Sequence, residues 1–155
     1  PKTTVMPALL HHSLGHDQYL CQRLEHGING ERFALKPQGA QDIRRYDVLK
    51  DIMRMEQFLA TRPNASAAVL VISNDPSYWK GRRRDGASDA AFELREGRTV
   101  TGVLNWADHA GPGTKRSREA AIDLKGQYRM TWADYSRIDG PFGGFRYLYL
   151  PVERP

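Results

Sequence analysis

Residues 38 to 73 carry the feature that most constrains the fold, a long helix-forming stretch feeding directly into an apolar run. In QGAQDIRRYDVLKDIMRMEQFL, residues 38 to 59, the apolar positions Val48, Leu49, Ile52, Met53, Met55 and Leu59 recur three and four apart. That period predicts a helix with one broad buried face. Arg62-Pro63-Asn64 stops it, because proline cannot continue the hydrogen-bond ladder. AAVLVIS, residues 67 to 73, then follows without a break in apolar character, is rich in β-branched residues and ends at Asn74-Asp75-Pro76. Such a run predicts a strand buried on both faces. A helix leading into such a strand implies an α/β layer in which the helix covers a sheet.

The flanks fit around this pair. Residues 1 to 30 show no period and read as an irregular arm ending in the turn Asn29-Gly30, which leaves residues 31 to 155 as a single domain. RFALK, residues 32 to 36, alternates as a short strand. After the helix and strand, AFEL and TVTGVLNW are predicted as strands on either side of a turn at Glu96-Gly97. AIDLKGQYRMTW reads as two short strands broken at Gly126, and FRYLYLPV closes the chain as a β-rich C-terminal extension. YWKGRRRDGASD and residues 107 to 118, ADHAGPGTKRSR, are polar loops.

Composition sets the class. With 155 residues, 40% hydrophobic and 26% charged, the chain has enough material for one folded core and is too apolar to be wholly disordered. No apolar run approaches the roughly 20 residues of a membrane span, so the expected location is cytoplasmic and no membrane partner is expected. The single cysteine, Cys21, has no partner for an internal disulfide and rules out a Cys-based zinc cluster. A net charge of +5 leans toward a polyanionic partner.

Several residue groups could carry chemistry, and each has a plain structural reading beside it. On the helix, Arg44 with Asp47, Asp47 with Lys50 and Asp51 with Arg54 are three apart and could simply pair on a solvated face. Alternatively Gln41, Asp42, Arg45, Tyr46 and Lys50 line a cleft in which cations meet phosphate. The run Lys80-Gly81-Arg82-Arg83-Arg84 follows Tyr78-Trp79, and Lys115-Arg116-Ser117-Arg118 forms a second basic cluster. Both suit phosphate contact beside base stacking, and both could equally be solvated loops. His11, His12 and His16 invite a metal reading that Gly15 weakens, and Cys21 with His16 or His26 lacks a third orienting group. Asp123-Leu124-Lys125 puts an acid and a lysine on one side of a strand, where Asp123 could hold Mg²⁺ and Lys125 steady a water, with Asp89 or Asp108 as a second acid.

Taken in order, FALKPQGAQDIRRYDVLKDIMRMEQFL, VLVISNDPSYW, AFELREGRTVTGVLNW, GTKRSREAAIDLKGQYRMTWADYS and FRYLYLPV resemble a widespread group of bacterial proteins associated with the PD-(D/E)XK, or restriction-endonuclease-like, nuclease superfamily. The resemblance spans roughly residues 24 to 150. It implies a restriction-endonuclease-like core with a mixed sheet, DNA as partner and Mg²⁺ as cofactor. It places Gln41, Asp42, Arg45, Tyr46 and Lys50 beside the active-site end of the sheet, with Asn74 and Asp75 as further auxiliary polar residues. Asp42, Lys50, Asp123 and Lys125 are then the candidate catalytic groups.

One departure matters. The group carries a Glu-Leu-Lys-Tyr strand shortly before the stretch matching RLEHGINGERFALK, and here HDQYLCQRLEH fills that place. The acids before the helix, Asp17, Glu25 and Glu31, are followed two residues later by Tyr19, Gly27 and Phe33, so none forms an acid-x-Lys motif. The expectations are therefore a nuclease with displaced acids, a DNA-binding domain without catalysis, or a protein-binding module that uses Tyr78, Trp79 and Tyr147 as exposed anchors, and a homo-oligomer is compatible with each.

Overall fold

The elements form in the order β1 (Leu24–Ile28), β2 (Glu31–Leu35), α1 (Gln41–Ala60), β3 (Ala67–Ser73), β4 (Thr99–Leu104), the single turn α2 (Pro112–Lys115), β5 (Ile122–Arg129), β6 (Trp132–Arg137) and β7 (Gly144–Val152). This computed structural model describes residues 21–28, 31–35, 37, 39–81 and 86–154. The protein is a mixed α/β fold, and no described helix is long and apolar enough to cross a membrane. In place of one mixed sheet, the described strands make three antiparallel sheets, β1-β2, β3-β7-β6 and β4-β5. The β1–β2 register joins Leu24 to Leu35 across the boundary expected at residue 30, so the stretch before it contains a strand.

The helix and the strand after it form where their patterns predict. Leu49 and Ile52 are fully buried, with Val48 and Leu59 beside them, and Met53 and Met55 pack on the core's margin. Burial of side chains of this size is worth about 1.5–3 kcal/mol each. Yet α1 is covered on more than its apolar stripe: Arg45, Asp47 and Glu56 are buried as well. Only Asp51–Arg54, at 3.1 Å, forms one of the expected surface pairs, because Asp47 turns instead to Arg118. The helix packs on both β5 and β3.

Three other expectations are corrected. β3 is not buried on both faces; Val69, Val71 and Ser73 point inward while Leu70 is 59% and Ile72 38% exposed. AFEL is not a strand but contains a 3-10 turn, Ala90–Phe92. Its carbonyls are taken by side chains, since Arg98 donates to Ala90, Ala91 and Glu93 and the Trp132 indole N–H donates to Leu94. Gly126 does not break a strand either. β5 runs through it, and a Cβ there would meet the Tyr128 hydroxyl at 2.8 Å, so glycine is required by space. The break falls instead at Met130-Thr131, after which WADYSR forms β6. On β4, Gly102 sits at φ +72 beside a register shift, the left-handed conformation that glycine adopts without strain.

Beyond α1, the core is aromatic. Phe92 meets Tyr46 edge-on at 5.2 Å and Trp106 at 4.8 Å, and Tyr46 stacks on Trp106 at 5.7 Å. These contacts wedge the segment after β3 and the segment after β4 against the first half of α1.

Candidate functional site

The N-terminal half of α1 gathers most of the polar residues singled out from the sequence. Gln41 stands at its first position and Arg45 one turn on, while Asn74 and Asp75 follow the end of β3. Asn74 holds Gln22 by both backbone groups, accepting from its N–H at 2.6 Å and donating to its carbonyl at 3.2 Å, and donates also to the Phe142 carbonyl. Asp75 accepts from the Gln22 amide at 2.7 Å, the Ser77 backbone N–H at 2.9 Å and, more weakly, the Gln41 amide at 3.4 Å. Burial alone would raise the Asp75 carboxyl, but these hydrogen bonds outweigh it and hold it below its ordinary value.

A carboxyl lowered in the fold stabilises the protein at pH above its unfolded value, and that contribution fades as pH falls through the lowered one. Asp75→Asn is therefore expected to cost about 1–3 kcal/mol at neutral pH. The cost should shrink in strong acid, where the wild-type carboxyl is protonated too. Urea unfolding of both proteins from neutrality to about pH 3 checks this; parallel stability curves would refute the role assigned to Asp75.

Arg45 is an anchor rather than a phosphate contact at the surface. It is 1% exposed, donates to Asp89 at 3.1 Å and to the Ser77 carbonyl at 3.0 Å, and lies 5.2 Å from the centre of the Tyr78 ring. Ser77 and Asp89 bracket the arginine run, so one buried guanidinium ties both ends of that loop to α1. Arg82, Arg83 and Arg84 lie outside the described residues; Lys80, at the near end, is exposed.

The second basic loop is anchored two residues further along α1, at Asp47. Arg118 meets Asp47 with two parallel bonds, at 2.7 and 2.8 Å, the strong geometry of a guanidinium–carboxylate pair. Tyr46 donates its hydroxyl to the Ala120 carbonyl, and the Trp106 indole donates to that of Arg118. Lys115 and Arg116, which precede this anchor, are partly exposed and exposed.

The four candidate catalytic groups do not meet. Asp42 is spent on the backbone N–H of Ile43, and Lys50 lies 5.7 Å from the centre of the Tyr46 ring. Asp123 and Lys125 form an exposed ion pair on β5, level with Glu56. Fourteen residues separate Asp42 from Glu56, about 21 Å along a helix. A Mg²⁺ ion needs convergent oxygens in near-octahedral array. Glu56, which lines the same pocket as Asp123, already accepts from the Lys125 and Gly126 N–H groups and the Tyr128 hydroxyl. Asp89, suggested as a second acid, is held by Arg45. The described residues therefore do not fit a Mg²⁺ site, and among them no group of three or more His, Cys, Asp or Glu could hold a metal.

The remaining candidates divide simply. His11, His12 and His16 lie outside the described residues. Cys21 is buried, and burial together with the Asp75 carboxylate pushes its thiol up, the reverse of what an activated nucleophile requires. Tyr78 is buried and Trp79 packs on Trp132 at 5.6 Å with Arg146 over its ring, so neither is the exposed anchor expected of it. Sequence reasoning did not single out Gln22, Ser77 and Glu56 as site residues, because Gln22 and Ser77 act partly through their own backbone and Glu56 through N–H groups 69 and 70 residues on. No protein-family model, curated protein or solved structure matches the chain.

Proposed function

We propose that the chain is a nuclease-derived, restriction-endonuclease-like domain that binds duplex DNA through its phosphate backbone and does not itself cut it. One observation carries this reading: the two basic loops, far apart in sequence, are tied to the same turn of α1, one by Arg45 and the other by the Asp47–Arg118 pair two residues on. The anchors tie the near end of the first loop, with Lys80, to the same half of the helix as Lys115 and Arg116. A loop anchored at its ends loses less entropy on binding DNA than a free one. The scattered carboxylates support the non-catalytic part of the reading.

Phosphate contact makes a quantitative demand. Each lost contact should flatten the dependence of log affinity on log salt by about 0.9, so Lys115→Ala with Arg116→Ala should reduce the slope by about 1.8 and weaken binding alike for unrelated sequences. Fluorescence anisotropy with a short labelled duplex, titrated at several salt concentrations, measures both. An unchanged slope would rule out this loop as a DNA contact. Incubating plasmid with Mg²⁺ or Mn²⁺ completes the test, since cleavage that EDTA stops and Asp123→Ala abolishes would overturn the non-catalytic reading.

A further inference from the structure

We infer that the outer face of the β3-β7-β6 sheet is a homodimer interface, covered by the same face of a second copy. The inner face turns Val69, Val71, Leu148 and Leu150 into the core. The outer face is just as apolar. Leu70 opposes Tyr149 and Ile72 opposes Tyr147, which opposes Ala133 on β6 and meets Tyr135 edge-on at 6.4 Å. Leu70, Tyr135 and Tyr149 are 59%, 61% and 55% exposed.

No charged residue among those described occupies this face. The nearest ion pair, Arg146–Asp134, belongs to the opposite parity of the ladder. In a chain of which 26% is charged, three adjacent strands presenting tyrosine and aliphatic side chains are the composition of an interface core, depleted of charge and rich in aromatics. A solvated sheet face would alternate to polar residues instead.

Charge and area together select the occupant. Two molecules each carrying +5 repel, so a contact between copies is favoured at a surface that adds no like charges. This face meets that condition, and a partner of another kind, drawn by the chain's positive charge, would find no cation here to steer it. Fully buried aromatics contribute 150–250 Å² each, so the uncovered apolar area is on the order of 500 Å² per copy. Two such faces bury about 1,000 Å², the lower bound for a specific interface, which makes the dimer reversible rather than obligate. Antiparallel sheets stacked about 10 Å apart and turned by about 30° would interleave the tyrosines under a twofold axis. Because α1 packs against β3 and β7 on the inner side of this sheet, both copies keep it free.

Sedimentation velocity on the full chain from about 1 to 300 µM tests the proposal. The expected result is a monomer that becomes a dimer across that range, with Leu70→Lys and, separately, Tyr135→Ser remaining monomeric at every concentration. Both positions are exposed, so the variants should keep the far-UV circular dichroism and thermal transition of the parent. A parent that stays monomeric throughout, a dimer that survives both substitutions, or open-ended assembly in place of a closed dimer would each overturn it.

Discussion

Arg45→Ala is expected to be the most damaging single substitution in the protein, lowering unfolding free energy by about 3–5 kcal/mol. The guanidinium is almost wholly buried and makes three separate contacts, with the Asp89 carboxylate, the Ser77 carbonyl and the face of Tyr78. Alanine removes all three and leaves the Asp89 carboxylate buried without that guanidinium. Desolvated charge is what makes breaking a buried pair costly, whereas replacing both partners with apolar groups is often neutral. Arg45→Met combined with Asp89→Leu should therefore recover much of the loss. For a domain of this length the single variant should melt roughly 10 °C lower. Thermal and urea unfolding of the two variants measure the difference, and a single-variant cost below about 1 kcal/mol would show that the pair is not the anchor described. The double variant has a second use. If it restores stability but the loop between Ser77 and Asp89 is no longer tied to α1, DNA affinity should stay reduced.

How much of this was legible beforehand depends on the range over which each signal acts. The helix and β3 were readable because periodicity is local: Val48, Leu49, Ile52 and Leu59 fix one face by their spacing alone. The exposure of Leu70 and Ile72 was not, since a continuous apolar run cannot say whether its second face is covered by this chain or by another. AFEL looked like a strand because the residue that takes up its carbonyls, Arg98, carries no mark of that duty in its own neighbourhood. The site divides in the same way. Gln41, Arg45, Asn74 and Asp75 were singled out and do converge at one end of the helix. Their partners Gln22, Ser77 and Asp89 lie 32 to 53 positions away from them or, for Ser77 beside Asp75, are reached through a backbone atom, which spacing cannot reveal. Asp123-Leu124-Lys125 shows the converse, a tripeptide with suggestive chemistry whose two charged groups simply neutralise each other.

Glu56 offers the sharpest separation of charge from hydrogen bonding. Its carboxylate is 2% exposed and accepts from the Lys125 and Gly126 backbone N–H groups, at 3.0 and 2.7 Å, and from the Tyr128 hydroxyl at 2.8 Å. It thereby clamps the middle of β5 to the last turns of α1. Glu56→Ala would strand three buried donors, each costing about 1–3 kcal/mol when left unmade, so a loss of at least about 3 kcal/mol is expected. Glu56→Gln keeps one acceptor oxygen and should cost distinctly less. The two variants should also differ from the parent in alkali. Burial, and then the hydrogen bond and negative charge of Glu56, push the Tyr128 phenol well above its usual value. A tyrosine raised in the fold contributes stability that is complete below about pH 10 and is lost as pH climbs past the unfolded value, because only the unfolded chain then releases the proton. Tyr78, raised chiefly by burial, supplies the same slope in every variant. Removing the Glu56 charge should therefore leave the Tyr78 part intact and make alkaline destabilisation shallower, in Glu56→Gln as in Glu56→Ala. Urea midpoints measured between about pH 8 and pH 11 would show it. Identical slopes in parent and variants would mean that burial alone, and not the carboxylate, sets the Tyr128 phenol.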